Sequence, residues 1–179
     1  MAKKLNKIDP EDKKEKAKRA RIVANAKFDD FEREYNRVKE KYAQYYPGGV
    51  EFVQAMGYDQ LRDAISTVDP NQDIIMMAHY NPEAMYGVPV SDSYVRTLDT
   101  PQGKTIASIF EELENKGYQG NCYLGICYGE NIATAIQETG VDIPMFATPS
   151  GNKWVGHNPS AKGNFEDFFF GVEGRVNDN

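Results

Sequence analysis

Two residues of this chain have types that could form a nucleophile and its base: His79 and Cys127, 48 positions apart. A thiol attacks a carbonyl carbon as its thiolate, and a nearby imidazole can take the proton and later return it to a leaving group. His79 closes the apolar run DIIMMAH, and Cys127 closes the run CYLGIC. Gly129 follows two positions later and a helical pattern starts near Asn131. Main-chain amides of Tyr80, Tyr128 and Gly129 are then candidates to hold an oxyanion. A helix starting just beyond a cysteine also favours the thiolate through its N-terminal dipole. The competing readings are a small buried hydrophobe for Cys127 and an ordinary hydrogen-bonded strand-end residue for His79.

Other chemistry finds less support. Cys122 reads as core. On one strand it would lie about 16 Å from Cys127 and point to the opposite face, so no disulfide joins the two. That suits a reducing compartment. Two His and two Cys have no structural-zinc spacing, so no metal and no cofactor are expected. Ser150-Gly151-Asn152-Lys153 lacks the frame of a phosphate loop. His157 reads as a loop residue. Asp92, Asp99 and Glu130 could orient His79 or meet a basic substrate residue, against the plainer reading of solvated charge.

The elements that must position the pair follow an α/β order. DIIMMAH reads as a strand buried on both faces, as in a parallel sheet. Residues 80–99 read as a long loop with a short extended piece at 93–97. Thr100-Pro101 opens a helix whose buried face is Ile106, Ile109, Phe110 and Leu113, closed by Gly117. Cys122–Ile126 is the next strand and Asn131–Thr139 the next helix. Val141–Ala147 is a third strand, with Pro144 tolerated at an edge or bulge. Phe165, Phe168, Phe169 and Phe170 form an aromatic cluster expected to pack on the body. Strand, helix, strand, helix, strand argues for a parallel sheet covered by helices.

Upstream, residues 10–46 read as one long helix behind Asp9 and Pro10, ended by Pro47-Gly48-Gly49. Phe28, Phe31, Tyr35, Val38, Tyr42 and Tyr45 recur in steps of three and four, a seam for a sheet domain or a partner protein. Phe52, Met56, Leu61 and Ile65 suggest a helical region broken near Gly57. Charge divides unevenly. Residues 1–48 carry a net +5, residues 49–179 a net −11, and the 179-residue chain a net −6. A basic arm on an acidic body could touch nucleic acid, an anionic surface or a neighbouring copy. Interleaved Lys and Glu favour a solvated helix instead, and nucleic-acid contact is the lesser expectation. No apolar run approaches the ~20 residues of a membrane span, and no secretion signal is read at the N-terminus. A cytoplasmic or intracellular-assembly location is the expectation.

The layout of a strand ending in His, a helix, a strand ending in Cys-x-Gly, a helix and a further strand resembles the caspase-like cysteine peptidases. The stretch LGICYGENIATAIQETGVDIPMFATPSG is similar to the bacterial branches of that fold, including the self-processing domains of large toxins. The resemblance covers about residues 70–156. It implies a three-layer α/β fold, with Cys127 as nucleophile and His79 as its partner. Tyr80 stands where those families carry glycine, and the loop HYNPEAMYG also departs from their pattern. A shorter stretch, LGICYG, resembles the nucleophile elbow of class I glutamine amidotransferases, which need a His and a Glu far downstream. Only His157 lies downstream here, without that Glu.

The expected fold is thus a parallel-rich sheet flanked by helices and preceded by a long N-terminal helix. The domains are a charged arm and helix over 1–48 and an α/β body over 49–179. The expected function is a caspase-like peptidase acting on a protein or peptide substrate. The alternatives are an inactive structural or assembly protein docking through Phe28, Phe31, Tyr35, Val38, Tyr42 and Tyr45, and an amidotransferase-like enzyme.

Overall fold

The structure is a computed structural model that describes residues 18–25, 28–55, 58–78, 87–90, 93–96, 106–126, 129–148, 154 and 161–170. Its centre is an all-parallel sheet of five strands: β1 (Ala20–Asn25), β2 (Val50–Gln54), β3 (Asp73–Ala78), β6 (Cys122–Gly125) and β7 (Met145–Ala147). Their spatial order is β2-β1-β3-β6-β7. The chain builds outward from β1 to β2, returns to the other side at β3 and then runs on to β7. This is the order of doubly wound sheets of the flavodoxin type, with a switch point between β1 and β3. A separate antiparallel pair joins β4 (Gly87–Val90) to β5 (Ser93–Arg96) inside the stretch expected to be loop.

Helices cover both faces, because the central strands are apolar on both sides. Every residue of β3 and of β6 is buried. One face carries Val23, Ile74, Met76, Cys122, Leu124 and Ile126. Against it pack α2 (Tyr58–Ser66), α3 (Ile106–Asn115) and α4 (Gly129–Gln137). Ile106, Ile109, Phe110 and Leu113 are buried there, as the α3 periodicity predicts. The other face carries Ala20, Ile22, Ala24, Ile75, Met77 and Tyr123 under α1 (Phe28–Tyr45) and α5 (Phe165–Phe170). Alternation along each strand therefore divides one sheet between two cores. Gly117 and Gly140 follow α3 and α4 with φ of 89° and 101°, a left-handed conformation that glycine adopts without penalty.

Two expectations are corrected, the helix over 10–46 and the helical reading around Phe52, and the aromatic seam of residues 35–45 lies on the sheet, the first of the two faces expected for it. The long helix over 10–46 is not observed. Residues 20–25 form β1, the middle strand of the sheet, and the helix spans 28–45. Because β1 pairs with both β2 and β3, the sheet draws on residues from either side of position 48. Residues 10–17 lie outside the described residues. The aromatic seam of α1 faces this chain's own body. Val38 and Tyr42 are buried, and Tyr35 and Tyr45 pack at the margin of the same core. Tyr42 meets Phe168 edge-on at 5.1 Å, and Tyr45 stacks on Phe168 at 5.7 Å. Val38 and Tyr42 are thus part of this chain's own core. The side chains of Phe28 and Phe31 lie outside the described residues. The segment around Phe52 is also strand, not helix: Val50–Gln54 forms β2, and helix begins only at Tyr58.

The register of the sheet is fixed at its amino end. Asp73, 1% exposed, opens β3. Its Oδ1 accepts the Asn121 amide at 3.1 Å, and its Oδ2 accepts the Tyr46 hydroxyl at 3.0 Å with Lys18 Nζ at 3.3 Å. A buried carboxylate needs this set of donors, since an unpaired charge in the interior is costly. The set also ties together the end of α1, the approach to β1 and the starts of β3 and β6. Tyr118 adds to it by donating to the Gln72 carbonyl at 2.6 Å.

Candidate functional site

Parallel doubly wound sheets place their chemistry beyond the carboxyl ends of the strands. In this chain that edge is formed by the ends of β1, β3, β6 and β7. His79 and Tyr80 follow β3, and Cys127 and Tyr128 follow β6. All four lie outside the described residues, as do His157, Asp92 and Asp99. The strands leading to them are fully described. β3 and β6 are hydrogen-bonded parallel neighbours, with Ile74 opposite Cys122 and Met77 opposite Gly125. The bond from Asn121 to Asp73 spans 48 residues, the same offset.

Gly129, an expected oxyanion-loop residue, is the first residue of α4 and is buried. A Cβ at this position would sit 3.3 Å from the Leu124 carbonyl oxygen and 3.3 Å from Ala147 Cβ. Glycine thus lets the start of α4 settle between the ends of β6 and β7. The Glu130 amide donates to the Thr148 carbonyl at 2.9 Å and fastens the helix there. The positive end of α4's dipole is therefore held beside the carboxyl edge of β6, where it favours anions and thiolates.

Three features of this edge are absent from the sequence-based expectation. Gly125, the last residue of β6, has Phe169 and Trp154 packed onto it. A Cβ would lie 2.8 Å from Phe169 Cζ and 3.1 Å from Trp154 Cε2. Trp154 Nε1 donates to the Phe169 carbonyl at 3.2 Å, and its ring centroid lies 5.2 Å from that of Phe169. A lone glycine within a strand is the signal that could have announced this close approach. Thr148, at the end of β7, is 1% exposed, and its hydroxyl has no hydrogen-bond partner among the described residues. The third feature is a groove along β7, lined by α4 and α5.

The two cysteines occupy different settings. Cys122 sits at the amino end of β6, fully buried in the core. Burial, with the Asp73 carboxylate adding to it, raises its thiol well above the ordinary range, so it stays protonated and inert. Cys127 comes five positions later, after the opposite end of the strand and two positions before α4.

The fold defines the class: a doubly wound α/β protein with Asp73 buried at its amino edge and the start of α4 held at its carboxyl edge. No protein-family model, no curated protein and no solved structure matches this chain. Among the described residues, no helix is long and apolar enough to cross a membrane.

Proposed function

We propose that the chain is a caspase-like cysteine peptidase in which Cys127 attacks a peptide carbonyl and His79 handles the proton. The observation that carries this reading is the β3–β6 register. Its offset of 48 residues equals the separation of His79 and Cys127 along the sequence, each two positions beyond the last pair of that ladder, Met77 with Gly125. They also share a parity. Ile75 and Met77 on β3 and Tyr123 on β6 face the α1/α5 side, and His79 and Cys127 stand an even number of positions from them in the sequence. Neighbouring strands lie about 4.8 Å apart, within the reach of an imidazole and a thiol. The start of α4 lies two positions beyond Cys127 in the sequence.

In the reaction, the Cys127 sulfur adds to the scissile carbonyl carbon, and amides near Tyr128 and Gly129 stabilise the oxyanion. Collapse breaks the C–N bond, and the amine leaves with the proton carried by His79. Water then cleaves the thioester, releasing the acid and restoring the thiol.

The test is covalent labelling with peptidyl acyloxymethyl ketones carrying varied residues next to the warhead. Expected is one adduct per chain, mapped by mass spectrometry to Cys127, lost in Cys127→Ala and slowed by at least about 100-fold in His79→Ala. Labelling of Cys127 at the rate of a free thiol, with no dependence on His79, sinks the reading.

A further inference from the structure

Lys18, Arg19 and Arg21 lead the chain into β1, and each meets an acid. Lys18 pairs with Asp73 at 3.3 Å, Arg19 with Asp69, and Arg21 with Glu51 at 3.0 Å. The acids differ in what replaces the cation if the pair breaks. The Asp69 and Glu51 side chains are 57% and 48% exposed, so water takes over at little cost. The Asp73 side chain is 2% exposed, and water cannot do the same there. Among the described residues, no other Lys or Arg lies within ion-pair distance of Asp73. Its remaining partners, the Asn121 amide and the Tyr46 hydroxyl, are neutral. Tyr118, Cys122 and Tyr123 also lie in the field of this carboxylate, and none of them carries a positive charge.

The cations differ too. A guanidinium stays charged, whereas a lysine amine loses its charge when it is acylated. The Lys18 side chain is 52% exposed, with its ammonium 5.9 Å from the Tyr46 ring centroid. An amine open to solvent thus supplies the charge for a carboxylate that is not. The amino end of the sheet hangs on the same residues. The Gly48 amide donates to the Lys18 carbonyl at 2.8 Å, and the Asp73 amide donates to the Arg19 carbonyl at 2.9 Å. Asp73 in turn accepts the Asn121 amide at the start of β6.

We propose that Lys18 is a modification site that works as a latch: acylation of its amine removes the charge facing Asp73 and loosens the amino ends of β1, β3 and β6. The amine nitrogen attacks the carbonyl carbon of an acyl donor of the thioester class. A C–N bond forms, the C–S bond breaks, and the thiol leaves with a proton from the nitrogen. The resulting amide is neutral, and Asp73 is left with neutral donors alone. The latch is independent of the Cys127 reading, because its readouts are melting and amide exchange rather than turnover.

The test places acetyl-lysine at position 18 of the full chain by amber-codon suppression. The acetylated chain is expected to melt about 3–6 °C below the parent, with amide exchange in β1 and at the start of β3 at least about tenfold faster. Lys18→Arg keeps the charge and should melt within about 1 °C of the parent. Lys18→Gln should reproduce the acetylated chain. In an Asp73→Asn background, where no buried charge is left to pair, it should lose at most about a third as much. If Asp73→Asn fails to fold, Arg19→Gln gives the comparison: it removes a cation from an exposed acid and should shift melting less than about half as far. Access is read by treating the native parent with an acetyl succinimidyl ester and locating the adducts by mass spectrometry, with Lys18 expected among them. An acetylated chain that melts and exchanges like the parent overturns the proposal. So do equal losses from Lys18→Gln in both backgrounds, equal losses from Lys18→Gln and Arg19→Gln, or a Lys18 that the ester reaches only after denaturation.

Discussion

Asp73 and Asn121 join β3 to β6 through a 3.1 Å bond from a main-chain amide to a buried carboxylate, and this bond fixes the offset that runs to the other end of the same strands. At the fixed end, Cys122 is sealed in the core beneath Tyr118 and Asp73. At the far end, the chain reaches Cys127. The consequence is an asymmetry between the only two thiols. A thiol-exchange reagent should count one reactive cysteine in the native protein and two after denaturation. Cys127→Ser should leave none in the native state. Burial and Asp73 hold the Cys122 thiol protonated, so raising the pH to about 9 should not recruit it while the fold persists. Reaction of Cys122 in native Cys127→Ser at the rate of a free thiol would contradict this burial.

Gly125 tests how tightly the carboxyl end of β6 is closed on the α5 side. A methyl group there meets Phe169 Cζ at 2.8 Å and the Met76 carbonyl oxygen at 2.9 Å. The phenyl ring cannot swing clear, because Phe169 is fully buried and stacked on Phe165 at 5.4 Å. The carbonyl belongs to β3 and moves only if the strand moves. Gly125→Ala should therefore cost about 1–3 kcal/mol and lower the melting temperature by several degrees. Trp154 is the sole tryptophan of the chain, so its emission reports the same site. A red shift should accompany the loss of stability, and unchanged melting with unchanged emission would refute the tight closure.

The sequence revealed the second half of the sheet better than the first, for a physical reason. β3, β6, α3 and α4 are bounded by turn residues, and their apolar runs have the length of one element. β1 has neither advantage. Ile22-Val23-Ala24 is short, follows Arg19 and Arg21, and comes just before a helix with a strong three–four repeat. Because β1 is buried on both faces, it lacks the alternation that marks a half-buried strand, and short apolar runs do not separate strand from helix by period. β2 does alternate in part, but Phe52 falls in helical step with Met56. At the site, residue types pointed to His79 and Cys127, and the alignment of their strands came from Asp73 and Asn121. The burial of Thr148 and the groove along β7 depend on tertiary packing, which no local pattern encodes.

The seam of α1 separates an internal role from a docking role. Tyr42 is 1% exposed and touches Tyr35, Phe165 and Phe168 with ring centroids 5.7, 5.7 and 5.1 Å away. Tyr42→Ala should cost the isolated chain about 3–5 kcal/mol, as truncating a buried aromatic does. Gln44→Ala, two residues along on the exposed side, should stay within about 0.5 kcal/mol of the parent. Denaturant midpoints of the two variants measure the difference. Equal midpoints would mean that the Tyr42 side chain contributes nothing to the chain's own core.

Alkaline pH reads the sealed amino edge. Tyr46, Tyr118 and Tyr123 all have phenols raised above the ordinary value, in each case first by burial. The Asp73 carboxylate adds to the effect on all three, after Cys122 in the case of Tyr118. Tyr123 is pushed up to about 12, and the other two lie beyond it. A raised phenol binds its proton more tightly in the folded state than in the unfolded state. The stability it contributes is thus complete below the unfolded value near ~10 and falls as pH rises above it. Of the 11 tyrosines, these three should stay protonated until the chain unfolds. Near-ultraviolet tyrosinate absorbance should show a late step that coincides with loss of far-ultraviolet dichroism. Tyr123→Phe should shrink that step by about one tyrosine. A single smooth titration of every tyrosine near pH ~10, with dichroism intact, would show that solvent reaches the amino edge.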